Sequence, residues 1–218
     1  MIRKIKSYLI FTPVFYRWLM FLMVPAGTIG LQWLIEPIDL FMTGYINVMI
    51  WVMVEIISDN WVFGGMAVAG GKQWEYVKTS KRGMPIVENA LGVNMARQFL
   101  EGMIIFIAGW AFFSLRNGRG FSDVGELIIY VDMLLMAYFV IVAALSITRF
   151  FDSVLINTGT ASLASILLVG GFALVAAWKY VMLVLLVILA AAVSVMGVKL
   201  IMWRVRESYY DRADKKEY

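Results

Sequence analysis

The chain has 218 residues, of which 62% are hydrophobic, and its formal net charge is +4. It contains neither cysteine nor histidine, which excludes disulfides, thiol nucleophiles and thiolate metal sites and removes the commonest general base. With a mean hydropathy of +0.81, little sequence remains for a soluble domain, so residues 1–218 are predicted to form a single transmembrane domain.

Six apolar stretches dominate the sequence. Each is close to the ~20 residues that a helix needs to cross a hydrocarbon core of ~30 Å. In lipid a segment must satisfy its own backbone hydrogen bonds, which favours helices here. We therefore predict an all-α, polytopic membrane protein with six transmembrane helices. The stretches run roughly over Val14–Ile35, Leu40–Trp61, Gln98–Leu115, Leu127–Thr148, Val154–Trp178 and Tyr180–Trp203.

Positive charge falls almost wholly on alternate sides of these stretches. Of the 19 Lys and Arg, only Arg116, Arg119 and Lys179 lie in the odd-numbered loops. The positive-inside rule then predicts that both termini, including a tail over 204–218, are cytoplasmic. We expect a multi-pass protein of the cell (plasma) membrane, of the bacterial cytoplasmic type. The net charge is explained by topology and contact with lipids, and it gives a nucleic-acid partner little support.

The N-terminal segment 1–13 is predicted to be an interfacial amphipathic helix. Ile2, Ile5 and Leu9 follow one another at helical spacing among basic residues, and Pro13 ends the segment. Such a helix would place its apolar face in the inner leaflet and its charges among the headgroups. A disordered basic tail is the alternative.

Four ionisable residues fall within the apolar stretches or close to their ends. A charge at membrane depth is costly unless it faces protein or water. Glu55 and Asp59 lie four residues apart on one helical face, and Arg17 is the expected partner of one of them in an ion pair that clamps two helices. Asp132 either reaches outer water or Arg116, or lines a substrate path.

Two further pairs of opposite charge lie near the inner boundary. Arg97 precedes Glu101 by four residues, and Arg149 precedes Asp152 by three. We expect both to be solvated ion pairs, which contribute little to stability.

Small residues recur at fourfold spacing at the end of the second stretch. Gly65 and Ala69 are separated by four residues, which allows another helix to approach closely. We interpret this pair as a packing face, with a flexible joint as the alternative.

Nucleotide-binding chemistry is not expected in this chain. The segment Gly70–Lys72 resembles the end of a phosphate-binding loop, but Met66 stands where that motif needs glycine and Gln73 where it needs a hydroxyl. No enzyme activity, cofactor or metal is predicted.

The loop over 72–97 is the most informative cytoplasmic segment. Gln73–Lys78 is predicted to form a short amphipathic helix that carries Trp74 and Tyr76 beside charges. It is followed by Thr79-Ser80 and by a turn. Exposed aromatic side chains among basic residues indicate a helix that docks on a soluble partner.

The order of residues in this loop resembles that of the small six-helix permeases of ATP-binding-cassette exporters, the type-2 or type V exporter-fold class. The resemblance extends to the topology of the whole chain. It implies a separate cytoplasmic ATPase subunit, a second permease chain of the same or a related kind, and export of a peptide, lipid-like or hydrophobic compound. The residues implied to couple to the ATPase are Trp74, Glu75, Tyr76, Val77, Lys78, Thr79, Ser80 and Arg82.

One departure from that family concerns the last two stretches. The family has re-entrant helices on the outer side between its last two spans, whereas Val154–Trp203 leaves only a few residues beyond two crossings. Gly170 and Gly171 could break the fifth stretch and form such an element.

Two other functions fit the same length and helix number. A substrate-capture subunit of an energy-coupling-factor importer would carry a small-residue stripe in its first span, of which Val24–Gly27 is only a fragment. An accessory or immunity membrane protein without transport activity is the second alternative.

Overall fold

The structure is a computed structural model that describes residues 2–68, 79, 80, 82–149 and 154–213. Within these residues every regular element is helical. The α-helices are α1 (Ile2–Phe11), α2 (Val14–Trp18), α3 (Val24–Ile35), α4 (Leu40–Val68), α5 (Gly83–Asn117), α6 (Val124–Thr148) and α7 (Val154–Ala213), and a π-helical turn over Leu19–Met23 joins α2 to α3. The all-α prediction is confirmed.

Proline and charged caps set the ends of several helices. Pro13 is extended, with ψ of 152°, and so separates α1 from α2. Glu36 adopts a left-handed conformation, with φ of 54°, and ends α3. The Asp39 carboxylate accepts the backbone N–H of Met42 at 2.7 Å and caps the first turn of α4.

Five helical segments among the described residues are long and apolar enough to cross a membrane. They are Val14–Ile35, Leu40–Asp59, Gly83–Asn117, Val124–Thr148 and Ser162–Trp203. The third begins before the predicted Gln98, because Gly83 already starts α5. At 35 residues, α5 is about 52 Å long and exceeds the ~30 Å of a hydrocarbon core.

The 60-residue helix α7 contains a sharp break at Trp178, where φ is −127° and ψ is 33°. Gly171, before the break, packs against Met136 of α6. After the break, the Ser194 hydroxyl lies 2.7 Å from that of Tyr138, only two residues further along α6. A straight helix would separate Gly171 from Ser194 by about 35 Å. The chain therefore reverses direction at Trp178.

The two arms of α7 thus form a helical hairpin on α6. Lys179, just after the break, brings its ammonium group to Gly125 near the beginning of α6. The reversal at Trp178 falls at the predicted boundary between the fifth and sixth stretches. Gly170 and Gly171, where the sequence suggested a break within the fifth stretch, instead lie within the helical first arm.

The core is centred on α6, whose residues are mostly buried between α4, α5 and the α7 hairpin. Helix α1 packs mainly against α5. Large side chains that are fully buried include Trp51, Tyr16, Phe113 and Met20. This packing brings polar residues of four helices together inside the molecule.

Candidate functional site

A buried cluster of three charged side chains links α4 to α5. Arg97 of α5 binds both carboxylate oxygens of Glu55 of α4, with Nη1–Oε1 at 2.8 Å and Nη2–Oε2 at 2.9 Å. The same Nη1 donates to Glu101 Oε2 one turn along α5. Only 4% of the Arg97 side chain is exposed, and neither carboxylate is exposed at all. The expected solvated pair of Arg97 and Glu101 is thus a buried one.

Uncharged polar groups complete the shell around the guanidinium. Arg97 Nε donates to Asn94 Oδ1 at 3.2 Å, and Gln98 Nε2 donates to Glu55 Oε2 at 3.1 Å. The Tyr16 ring lies 5.3 Å from the guanidinium carbon, a cation–π distance. Among the described residues Glu101 Oε1 has no hydrogen-bond partner. Glu55 is therefore fully satisfied, whereas Glu101 is only half satisfied.

The aromatic hydroxyl of Tyr8 in α1 also faces this cluster. Burial, opposed in part by the Arg97 guanidinium, raises the pKa of Tyr8 to about 12. Tyr8 is thus neutral at physiological pH. The N-terminal helix consequently contributes a buried side chain to the protein interior as well as an apolar surface.

A second buried ion pair lies one helical turn further along α4. Arg149, at the end of α6, donates from Nε to Asp59 Oδ2 at 3.0 Å and from Nη2 to Asp59 Oδ1. Exposed fractions are 2% for Arg149 and 9% for Asp59. One face of α4 thus binds α5 through Glu55 and α6 through Asp59. Asp152, the predicted partner of Arg149, lies outside the described residues.

Arg17 does not bind either carboxylate. Its Nη2 donates to the backbone carbonyl of Thr12 at 2.9 Å, so the prediction that Arg17 pairs with Glu55 or Asp59 is wrong. Those carboxylates are bound by two arginines that are distant in sequence.

A series of hydrogen bonds between uncharged polar groups connects four helices at another level of the bundle. Gln32 Nε2 donates to Asn47 Oδ1 at 2.8 Å, and Asn47 Nδ2 donates to the Tyr130 hydroxyl at 3.0 Å. Tyr130 in turn donates to the Phe106 carbonyl at 2.8 Å. The side chains involved are buried. Such a network fixes the relative register of α3, α4, α5 and α6.

Asp132 of α6 reaches neither water nor Arg116. Its exposure is 0%, and both of its carboxylate oxygens lack a hydrogen-bond partner among the described residues. Arg116 instead forms an ion pair with Glu36 and donates to the Trp33 carbonyl at 3.1 Å. The structure thus leaves Asp132 isolated.

The predicted coupling residues fall largely outside the described part of the chain. The residues outside the described part include Trp74, Glu75, Tyr76, Val77 and Lys78, and also Ala69. Gly65 belongs to α4, and its packing is likewise outside the description.

Three of those loop residues are placed. Thr79 is exposed, and Arg82 is exposed immediately before α5. Ser80 Oγ accepts the backbone N–H of Gly83 at 2.8 Å. The end of the loop is therefore tied to the first turn of α5.

An apolar groove runs along α5 and α6. One part, of about 540 Å³, lies between α5, α6 and the second arm of α7, and the next, of about 320 Å³, continues over α5 and α6. Phe99 and Leu135 line both parts. The Tyr138 and Ser194 hydroxyls are polar groups in its first part. The described residues contain no cluster of His, Cys, Asp or Glu suited to a metal ion.

Comparisons with protein-family models, curated proteins and solved structures found no match to this chain.

Proposed function

We propose that this chain is the transmembrane permease subunit of an ATP-binding-cassette transporter, with six crossings and both termini in the cytoplasm. A separate ATPase subunit supplies the energy, and a second permease chain completes the path. The exported compound is a peptide, a lipid-like molecule or another hydrophobic compound.

The α7 hairpin supports the sixth crossing. Ser162–Trp203 contains 42 residues, about twice the number that one crossing requires. Because the chain reverses at Trp178, each arm is long enough to cross alone. Lys179 at the hairpin tip then lies on the same side as Arg116 and Arg119, which agrees with the sparse positive charge of the outer loops.

The single observation that carries the proposed mechanism is the bidentate contact between Glu55 and Arg97. Glu55 lies in the helix that enters the predicted coupling loop, and Arg97 lies in the helix that leaves it. A force applied to the loop therefore acts on α4 and α5 as one unit. Asp59 and Arg149 extend that unit to the end of α6, so the loop has a direct mechanical connection to the central helix.

The groove along α5 and α6 supports the substrate class. Its lining is almost entirely apolar, and Tyr138 and Ser194 provide two hydroxyls in one part of it. Mostly apolar walls with few polar groups are typical of sites for hydrophobic ligands.

The test is affinity purification of the full chain from membranes, followed by identification of co-purified proteins. The expected partner carries a phosphate-binding loop and hydrolyses ATP. In the double variant Trp74→Ala with Tyr76→Ala, each truncation should weaken its binding by about 2 kcal/mol, as for aromatic anchors of an interface. Trp33→Ala is the matched control, because Trp33 is 63% exposed at the far end of α3.

A double variant that still holds the ATPase and still couples hydrolysis to transport in liposomes would contradict the docking role of the loop. A tightly bound vitamin in place of an ATPase would favour the importer subunit. Purification with neither would favour an accessory or immunity protein.

A further inference from the structure

The side chain of Asp132 is a buried carboxyl with no visible role in holding the helices together. It lies about 12 Å along α6 from the first residue of that helix, with 0% exposure. Buried carboxylates are normally bound by several donors. Asp132 has no such donor among the described residues, in contrast to Glu55 with its bidentate arginine.

The position of Asp132 on α6 directs it toward the α7 hairpin. Gly125 and Met136 lie seven residues before it and four residues after it, on the same face of the helix. Gly125 contacts Lys179 and Met136 contacts Gly171, so both neighbours on this face touch α7. Asp132 therefore lies on the face of α6 that packs against the hairpin.

The hairpin offers aliphatic side chains at this level. Val175 lies midway between Gly171 and Lys179 on the first arm, and Leu186 lies midway between Lys179 and Ser194 on the second. Val175 is 0% exposed and Leu186 is 3% exposed. Neither can donate a hydrogen bond or balance a charge.

The charged groups of the surrounding helices are engaged elsewhere. On α7, the Lys179 ammonium lies at Gly125, about 10 Å away along α6. The charges on α4 and α5 at membrane depth belong to the pairs described above. The other titratable groups on these helices, up to Trp203 of α7, are Glu126, Tyr130 and Tyr138 of α6, Tyr45 of α4, Glu88 of α5, and Tyr180 and Lys199 of α7, and Asp123 immediately precedes α6.

We propose that Asp132 is a proton-binding site and that it holds one proton while the α7 hairpin is packed on α6. An ionised carboxylate without a partner is strongly disfavoured in such surroundings, whereas the neutral acid is tolerated. A metal cation would need about six oxygen ligands, and the described residues provide no cluster of carboxylates there.

The proton has a structural consequence. Loss of the proton would place an unpaired negative charge between α6 and the hairpin, so deprotonation requires that this interface open and admit water. The packing of α7 is thereby coupled to proton binding. This inference does not depend on an ATPase partner or on the direction of transport.

The proposal is tested on the full-length wild-type protein in lipid nanodiscs with dicyclohexylcarbodiimide. This apolar reagent adds to protonated carboxyl groups that are shielded from water, and the product is located by mass spectrometry of peptides. We expect Asp132 to be labelled several-fold faster at pH 6 than at pH 9. The signal of its peptide is normalised to that of the peptide that contains Glu55. Labelling should not change when Na⁺ or K⁺ is added at constant pH.

The stability of variants provides a second, independent readout. Wild-type protein should lose thermal stability as the pH rises above about 4 and on toward 9, because Asp132 ionises near pH 4 in the unfolded chain but must keep its proton in the folded one. The isosteric Asp132→Asn should fold and should show little of this dependence, and Asp132→Leu should behave in the same way. No labelling of Asp132 at pH 6, protection from labelling by a metal cation, or an unchanged pH dependence in both variants would overturn the proposal.

Discussion

Trp51 of α4 lies across Gly102 of α5, so closely that a methyl group at Gly102 would come within 2.7 Å of three carbons of the indole ring. Trp51 is fully buried and cannot move aside without disturbing the core. This contact sets the distance between α4 and α5 one residue after Glu101. It therefore helps to hold the buried charge cluster in register.

Gly102→Ala should consequently destabilise the protein. We expect a loss of about 1–3 kcal/mol, as for other overpacked cores, measured as a shift in thermal unfolding in detergent. The matched control is Gly92→Ala on the same helix, where a Cβ meets nothing within 4 Å. That variant should gain about 0.5–1 kcal/mol from helix propensity. Equal stability of the two variants would show that α4 and α5 are not packed in this way.

Arg97→Gln should be far more damaging than loss of an exposed arginine. It leaves Glu55 and Glu101 buried without a counter-charge, which costs about 3–5 kcal/mol when one partner of a buried pair is removed. Arg97→Lys should rescue this loss only in part, because an ammonium group cannot reproduce the bidentate contact.

The control for this series is Arg116→Gln. Arg116 and Glu36 have side-chain exposures of 32% and 68%, and an exposed pair contributes about 0–1 kcal/mol. Urea-induced unfolding of both variants in mixed micelles provides the comparison. Similar losses for Arg97 and Arg116 would mean that water reaches the cluster.

Tyr130→Phe should destabilise the protein more than Tyr138→Phe. The first change leaves the buried Asn47 amide without its acceptor, at a cost of about 1–3 kcal/mol. After the second, the Ser194 hydroxyl can still donate to the Ala190 carbonyl at 2.7 Å. The melting temperatures of the two single variants provide the measurement, and the opposite order would contradict the proposed importance of the network.

Single cysteines can establish the topology, because the chain has none of its own. Ile38→Cys, Asn117→Cys and Tyr180→Cys should react with an impermeant maleimide added to intact cells, since Ile38 and Tyr180 are 84% and 59% exposed. Ser80→Cys should react only after permeabilisation. If Tyr180→Cys were labelled only from the inside, α7 would not cross the membrane twice.

Helix type and approximate span positions followed from the sequence, because the length of an apolar run is a local property that the membrane thickness fixes. The identities of the ion-pair partners did not. Glu55 and Arg97 are 42 positions apart, and their contact depends on how α4 packs on α5. Arg97 and Glu101 have the four-residue spacing of an ordinary surface ion pair. The sequence pattern alone therefore indicated that water would solvate this pair.

A signal for the buried cluster was nonetheless present in the sequence. Gly102 and Gly109 lie seven residues apart on α5, and the structure places Trp51 against the first and Asn47 against the second. Glycines at this spacing indicate a helix face that another helix approaches closely. Glu101, next to that face, could therefore have been assigned to the interior. The turn at Trp178 also had a signal, because Lys179 is the only charged residue between Val154 and Lys199 and the predicted fifth and sixth stretches meet there.

The π-helical turn over Leu19–Met23 sets the rotational orientation of the preceding helix α2 relative to α3. A π turn contains one residue more than the α-helical turn it replaces, so the same residues wound as an uninterrupted α-helix would be out of phase by one residue. The preceding helix would then rotate by about 100° relative to α3. Tyr16 would turn away from the Arg97 guanidinium, and Trp18 or Phe15, both exposed now, would turn toward the interior. The extra residue therefore acts as a built-in phase shift that lets one hydrophobic segment satisfy two different packing directions.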